Sequence, residues 1–474
     1  MRKQKNVLCG TLAALLLTAL PGMTVCAEPD ETTAAVTTEV TVLTSEETTV
    51  TTTTTTAVTR DPVSAMTYEE TANGIKITSY RWLNELTVEI PAQIGGKPVC
   101  EIGPNAFQYC YADEILLPSS LLIIHDYAFA GCAYLKTLTV PDGCRYIGSH
   151  AFDGCEKLEA VTIPATVTDI GADAFAETPF FTSLTDEFAV FGKGVLCACR
   201  SISDAPVIPD GVITIAPQTF AGNTGIHKVT IPASVQRIQK KAFEGCTGLS
   251  QIDISGTPVE VAADAFAGTK WEEAPQNGFL RLNDLLYAYR GTAARVTVPE
   301  DIRVIGEGAF AGNEKLVSAE LPEALEEIGR NAFSGDTALV SVRVGKHLKK
   351  LGANAFSGCE KLIELYLPDT LEEIGEHAAG YRINAETGAA EPLNNGLTFF
   401  ADAEAAVKYA ADNSLKREPL PASEQTVPVV TEPEPEVTEE GFALPQDRTW
   451  IPAMLCGGVL LLAGIVVFVI RKRR

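Results

Sequence analysis

Twelve cysteines and five histidines are the side chains of this 474-residue chain best suited to chemistry, as nucleophiles, metal ligands, disulfide partners or proton carriers. Their spacing argues against each use. Cys110, Cys132, Cys155, Cys246 and Cys359 stand three residues after the phenylalanine of a recurring Ala-Phe phrase, where other copies hold Thr178, Asn223, Thr269, Asn313 or Asp336. A slot that accepts Cys, Thr, Asn or Asp calls for a small side chain able to hydrogen-bond a turn, so these thiols read as buried structure. Cys9, Cys26 and Cys456 fall in terminal apolar runs, and the nine that remain are an odd number that cannot pair completely. Cys197-Ala198-Cys199 lacks redox-motif spacing. His150 and His377 share one position of the phrase, whereas His125, His227 and His347 are isolated in different phases. With no HExxH, GxSxG, paired CxxC or Gly-rich phosphate loop, neither catalysis, a metal nor a cofactor is expected.

The phrase itself must position everything else. Its phenylalanines fall at 107, 129, 152, 175, 220, 243, 266, 310, 333 and 356. A period in the low twenties predicts a solenoid, whose repeats acquire a core only by stacking. In "LEAVTIP", Leu158, Val161 and Ile163 are expected to point inward and Thr162 outward, with Phe152 and Ile170 on the opposite wall. The outward positions then form a ladder: Leu116, Thr139, Thr162, Thr230, Asp253, Thr297, Glu320, Arg343 and Tyr366. Its C-terminal half, Asp253 to Tyr366, is charged and aromatic and is a candidate contact surface.

Two phenylalanine intervals are doubled, Phe175 to Phe220 and Phe266 to Phe310. Their texts, "DEFAVFGKGVLCACR" and "NGFLRLNDLLYAYR", align as two β-hairpins inserted at about 180–205 and 271–294. Phe188, Phe191, Trp271, Tyr287 and Tyr289 on or beside them could stack on sugars or anchor a protein partner.

The ends define the rest. Residues 1–27 read as a secretory signal peptide cleaved after Ala27; a lipoprotein reading of Cys26 fits Met23-Thr24-Val25 poorly. Residues 28–62 are a Thr-rich stalk, 63–420 the capped solenoid, and 421–449 a Pro/Glu-rich spacer. Residues 450–470 form an uncharged apolar run followed by the basic tail 471–474, which predicts a single transmembrane helix with the ectodomain outside. Net charge −24 and pI near 4.7 disfavour nucleic acid.

The phrases "IPATVTDIGADAF" and "FDGCEKLEAVTIP" resemble the BspA-like leucine-rich repeats of bacterial surface proteins, over roughly residues 67–380. The resemblance implies a right-handed leucine-rich-repeat solenoid, mostly β, with one short parallel strand per coil and short helical turns. It implies binding on the concave sheet, and a surface adhesin or interaction module whose partner is a host or bacterial surface protein or a glycan. The alternative is a structural envelope protein without a soluble ligand. Leu444-Pro445-Gln446-Asp447-Arg448 also resembles a cell-wall sorting signal, but Asp447 and Arg448 replace the Thr and Gly of that pattern. A membrane-retained single-pass protein is therefore expected.

Overall fold

Nearly every coil turns on two left-handed residues. The position two before the signature phenylalanine has positive φ in nine of the ten coils, Asp264 being the exception, as at Asn105 (58°), His150 (54°) and Asn331 (55°), and again at His377 (52°) before Ala379, a region Asn and His tolerate better than most residues. This backbone demand, rather than a chemical role, explains why histidine recurs there. Two residues after the phenylalanine a glycine supplies the second turn in eight of the ten coils, with φ 70° at Gly131 and 69° at Gly245, while Tyr109 and Glu177 take the same conformation in the other two. The computed structural model describes residues 62–273 and 278–421, together with the backbone of two short strands at 38–41 and 51–54.

Two parallel ladders run along the stack. Three- and four-residue strands carry the "LEAVTIP" text: Thr87–Glu89, Glu114–Leu116, Thr137–Thr139 and Ala160–Thr162 pair in register. Two-residue strands precede the Ile-Gly step, such as Ile123–Ile124, Tyr146–Ile147 and Asp169–Ile170. That step brings coils closest: a Cβ on Gly171 would lie 2.3 Å from the Ser149 nitrogen of the preceding coil. Between the ladders the phenylalanines stack. Phe129–Phe152 and Phe152–Phe175 centroids are 5.2 and 5.4 Å apart with rings nearly parallel, and each ring is almost wholly buried.

The expected continuous outward ladder is corrected by the structure: it is divided at both insertions. After Ala160–Thr162 and again after Gln251–Ile254, a one-turn helix replaces the next strand, Pro179–Thr182 and Lys270–Glu273. Thr178 and Thr269 occupy the cysteine slot in these two coils, and each hydroxyl accepts a helix N–H, from Phe181 at 3.2 Å and Glu272 at 3.1 Å. A Thr cap there starts a helix where a cysteine would have let the strand proceed. Val161 and Ile163, on the strand at the first break, are consequently only half-buried.

Both hairpins have one register. Phe188 pairs with Cys199 and Phe191 with Val195 in the first, Phe279 with Tyr289 and Leu282 with Leu285 in the second, each with a bulge at the same place. Their second strands then join the short-strand ladder, pairing with Thr214–Ile215 and Val304–Ile305. Each hairpin therefore stands in for the missing half of a coil.

At the N-terminus the hairpin Met66–Thr71 and Gly74–Tyr80 closes the short-strand ladder, and Tyr80 stacks on Phe107 at 4.9 Å. Leu86 lies just before its strand and is exposed. The C-terminal cap is strand Thr398–Phe400, helix Glu404–Asp412 and strand Lys416–Glu418, preceded by a hairpin of Tyr381–Ile383 with Ala390–Pro392 that the sequence did not signal. Within the Thr-rich segment Thr38–Thr41 pairs antiparallel with Thr51–Thr54, since a β-branched low-complexity run is also a strand former. The expected signal peptide with Ala27, the greater part of the expected spacer, the expected membrane helix 450–470 and the expected tail lie outside the described residues. Among the described residues no helix is long and apolar enough to cross a membrane.

Candidate functional site

The cysteine slot is structural in detail. Cys132, Cys155, Cys246 and Cys359 each donate Sγ–H to the carbonyl of the signature phenylalanine one coil back, at 3.2, 3.3, 3.0 and 3.1 Å. Burial pushes the Cys246 thiol up to about 11 and Cys197 to about 12, away from the thiolate form that chemistry needs. The nine cysteines of the described residues are all free thiols. Among the described residues no group of three or more His, Cys, Asp or Glu is placed to hold a metal ion.

Histidines pair locally. His125 Nε2 lies 2.9 Å from Glu101 Oε2, His150 Nδ1 3.0 Å from Asp153 Oδ2 with its ring stacked on Tyr127, and His347 Nδ1 donates to the Glu323 carbonyl at 2.8 Å. The structure brings no two of these histidines together with a nucleophile.

The hairpin aromatics are corrected: Trp271, Tyr287 and Tyr289 are buried, at 6, 2 and 8% exposure, so they offer no ligand surface. They repair the phenylalanine stack where a coil is incomplete. Tyr287 meets Phe266 edge-on at 5.5 Å, and Tyr289 continues to Phe310 at 5.2 Å. The Tyr287 hydroxyl accepts from Phe266 N–H at 3.3 Å and donates to the Ala263 carbonyl at 2.8 Å, groups a full coil would have satisfied with backbone. Burial raises the Tyr287 hydroxyl far above its ordinary range, keeping it a donor. Tyr409 does the same for Ala379 in the C-terminal cap. Tyr287→Phe should therefore lower stability by about 1–3 kcal/mol, read from urea midpoints, because two buried backbone groups lose their partner.

The outward ladder residues are present and mostly occupied with one another. Asp253 sits opposite Thr230; its carboxylate meets Lys228 at 2.5 Å and Gln251 at 2.7 Å, which hold it below the usual carboxylate range. Thr297, Glu320 and Arg343 stand in register on three adjacent strands, exposed, with Arg343 3.1 Å from Glu320. Tyr366 belongs to the cap sheet, where it stacks on Phe400 at 4.5 Å. Asp253 and Thr297 are on different sheets, so the five do not form one patch. Pairs of this kind tune neighbouring coils, each contributing a fraction of a kcal/mol.

Two features escaped the sequence reading. One is a groove of about 480 Å³ along the short-strand ladder at the second break, whose lining includes Lys240, Glu260, Glu307, Glu327, Arg330 and Lys350. Burial raises Glu307 there, opposed by nearby Arg330 and Lys240. The other is a file of aromatics in the first coils, half-buried Trp82 followed by exposed Tyr111 and Tyr134. Its signal was present, since Tyr111, Tyr134 and Lys157 are spaced by one repeat.

Several solved structures are similar to this chain. A leucine rich cell surface protein from Faecalibacterium prausnitzii is 19% identical, covering 76% of this chain and 94% of its own, with TM-score 0.27. A leucine-rich repeat protein from Bacteroides ovatus is 20% identical over 74% of this chain and 88% of its own, TM-score 0.25. The pneumococcal vaccine antigen PcpA is 17% identical over 75% and 99%, TM-score 0.25. No curated protein matches the chain. The BspA type Leucine rich repeat region matches in six copies, over residues 100–205, 190–277 and 282–386. With its periodic phenylalanine stack and paired ladders, the chain belongs to the BspA type leucine-rich repeat family.

Proposed function

We propose that this protein is a non-enzymatic binding module of the bacterial cell surface that recognises a protein or glycan partner on the outward face of its long-strand ladder. The carrying observation is the division of labour in the solenoid. Thiols and hairpin aromatics are spent on stacking, while the outward residues Thr139, Thr162, Thr297, Glu320 and Arg343 stand exposed on strands held in register. A broad, rigid face suits contact with a large partner better than enclosure of a small one. Membrane attachment through residues 450–470, with the ectodomain exported behind a signal peptide ending at Ala27, is part of the same reading.

The test is an array of host matrix proteins, bacterial surface proteins and glycans probed with the full chain. Saturable binding to at least one partner is expected. Absence of binding across all three classes would overturn the reading and favour a purely structural role in the envelope.

A further inference from the structure

Four successive coils contribute one side chain each to a single file beside the first long strands. Trp82 and Tyr111 have centroids 5.0 Å apart, Tyr111 and Tyr134 5.9 Å, and Lys157 Nζ stands 4.2 Å from the Tyr134 centroid. Tyr111 remains 52% exposed and Tyr134 42%, and Leu86 and Leu116 nearby are exposed at 71 and 44%. The repeat does not require aromatics here: in later coils the position three before the long strand is Gly225, Gly248, Lys315, Ala338 and Lys361. Stacking of coils therefore leaves this exposed apolar file unexplained, and such a patch marks an interaction surface.

The chemistry of the patch points to one class of partner. The rings lie against one another, and Lys157 covers the far face of Tyr134, so edges and hydroxyls rather than open ring faces are presented. A pyranose packs flat on an open ring face; tyrosine edges with hydroxyls are the stuff of protein contacts. The surrounding charge is acidic: Glu85, Asp113, Glu114, Glu156 and Glu159 outnumber Arg81, Lys136 and Lys157, of which Lys136 is paired with Asp113 at 2.6 Å. A second copy, at net charge −24, would be repelled. So would the chain's own residues 28–61, which carry seven acidic side chains and one basic. We infer that the Trp82–Tyr111–Tyr134 file is a docking surface for a basic protein segment presenting Arg or Lys beside apolar side chains. This rests on the binding role proposed above and names the location and partner chemistry.

The experiment selects a phage-displayed library of random dodecapeptides on the immobilised full chain. Peptides enriched in Arg or Lys are expected. Their affinity should fall about tenfold or more on Tyr111→Ser/Tyr134→Ser, the loss typical of removing central aromatic anchors, and change less than about twofold on Arg343→Gln. Glu114→Lys, which keeps every ring, should also weaken them, so a folding defect in the serine variant does not decide the result. Peptides without basic bias, or binding to the serine and Lys variants undiminished from the parent's, would overturn this inference while leaving a binding role intact. A library that yields no enriched peptide overturns protein recognition by this surface, and the array of whole proteins and glycans then decides the broader reading independently.

Discussion

Replacing Phe333 with alanine is expected to cost about 3–5 kcal/mol, the combined loss of transfer energy and the cavity left behind. Phe333 is fully buried between Phe310 at 4.6 Å and Phe356 at 5.1 Å, so its removal leaves a hole bounded by rings on both sides. Backbone groups alone would still link the coils, because Phe333 N–H donates to Ala355 O at 2.8 Å. In a one-dimensional stack the damage falls on the coupling between neighbours. Calorimetry of the variant should show the C-terminal coils melting before the rest, and Phe333→Leu should recover more than half of the loss. A single transition displaced by less than about 1 kcal/mol would show that the ring stack does not carry the solenoid's cohesion.

Asp336 gives the second large effect, and it depends on pH. It occupies the cysteine slot, wholly buried; Oδ1 accepts from Asn313 N–H at 2.8 Å and Oδ2 has no hydrogen-bond partner. Burial pushes its carboxyl up to about 8, against the opposing hydrogen bonds from Asn313 and Gly312. An unfolded aspartate titrates near about 4, so between these values the folded state holds a proton that the unfolded state has released. Its contribution to stability is full below about pH 4 and is lost as pH rises through about 8, with a slope of up to roughly 1.4 kcal/mol per pH unit. Asp336→Asn keeps the acceptor and cannot ionise. Urea midpoints measured from pH 5 to 8 should fall less steeply for the variant than for the parent, and at pH 8 the variant should be the more stable. Parallel pH profiles would show that Asp336 does not bury a proton. Asp336→Cys, the side chain five of the ten coils carry there, should behave like the Asn variant.

The solenoid was legible because its information repeats. One ambiguous letter such as Thr230 means little, but ten phenylalanines in phase fix the coil, the slot three residues later, and the doubled intervals that hold the hairpins. The alignment of Cys197 and Cys199 with Tyr287 and Tyr289 survived in the strand register because both hairpins answer the same geometric need. The fate of the hairpin aromatics was not legible. Alternation places Tyr287 and Tyr289 on one side of a strand, but which side is covered depends on Phe266 and Phe310 from other coils. The division of the outward ladder was hidden in Thr178 and Thr269, whose capping role appears only once the helix behind them exists. The exposed file was hidden for another reason: Trp82 precedes the first regular repeat and stands outside the one-repeat spacing of its partners.

A consequence links these levels. Residues that look chemical in a list, thiols and buried tyrosines, act here as substitutes for backbone: Cys359 supplies a donor to Phe333 O, and Tyr409 supplies both donor and acceptor to Ala379. The side chains left free to meet another molecule are those the stack does not need. In the reading proposed above, those on the long-strand face and in the file beside it make the contact.

That claim is tested most directly by placing one bulky side chain on each ladder of the same coil and measuring affinity for a partner recovered from the array. Thr139 is outward and exposed on the long-strand ladder, and Tyr146 is exposed on the short-strand ladder. Thr139→Arg is predicted to weaken binding by about tenfold or more, and Tyr146→Arg by less than about twofold, with both variants retaining the parent's unfolding midpoint within a few degrees. Loss of binding in Tyr146→Arg with full retention in Thr139→Arg would contradict the assignment of the long-strand face as the recognition surface.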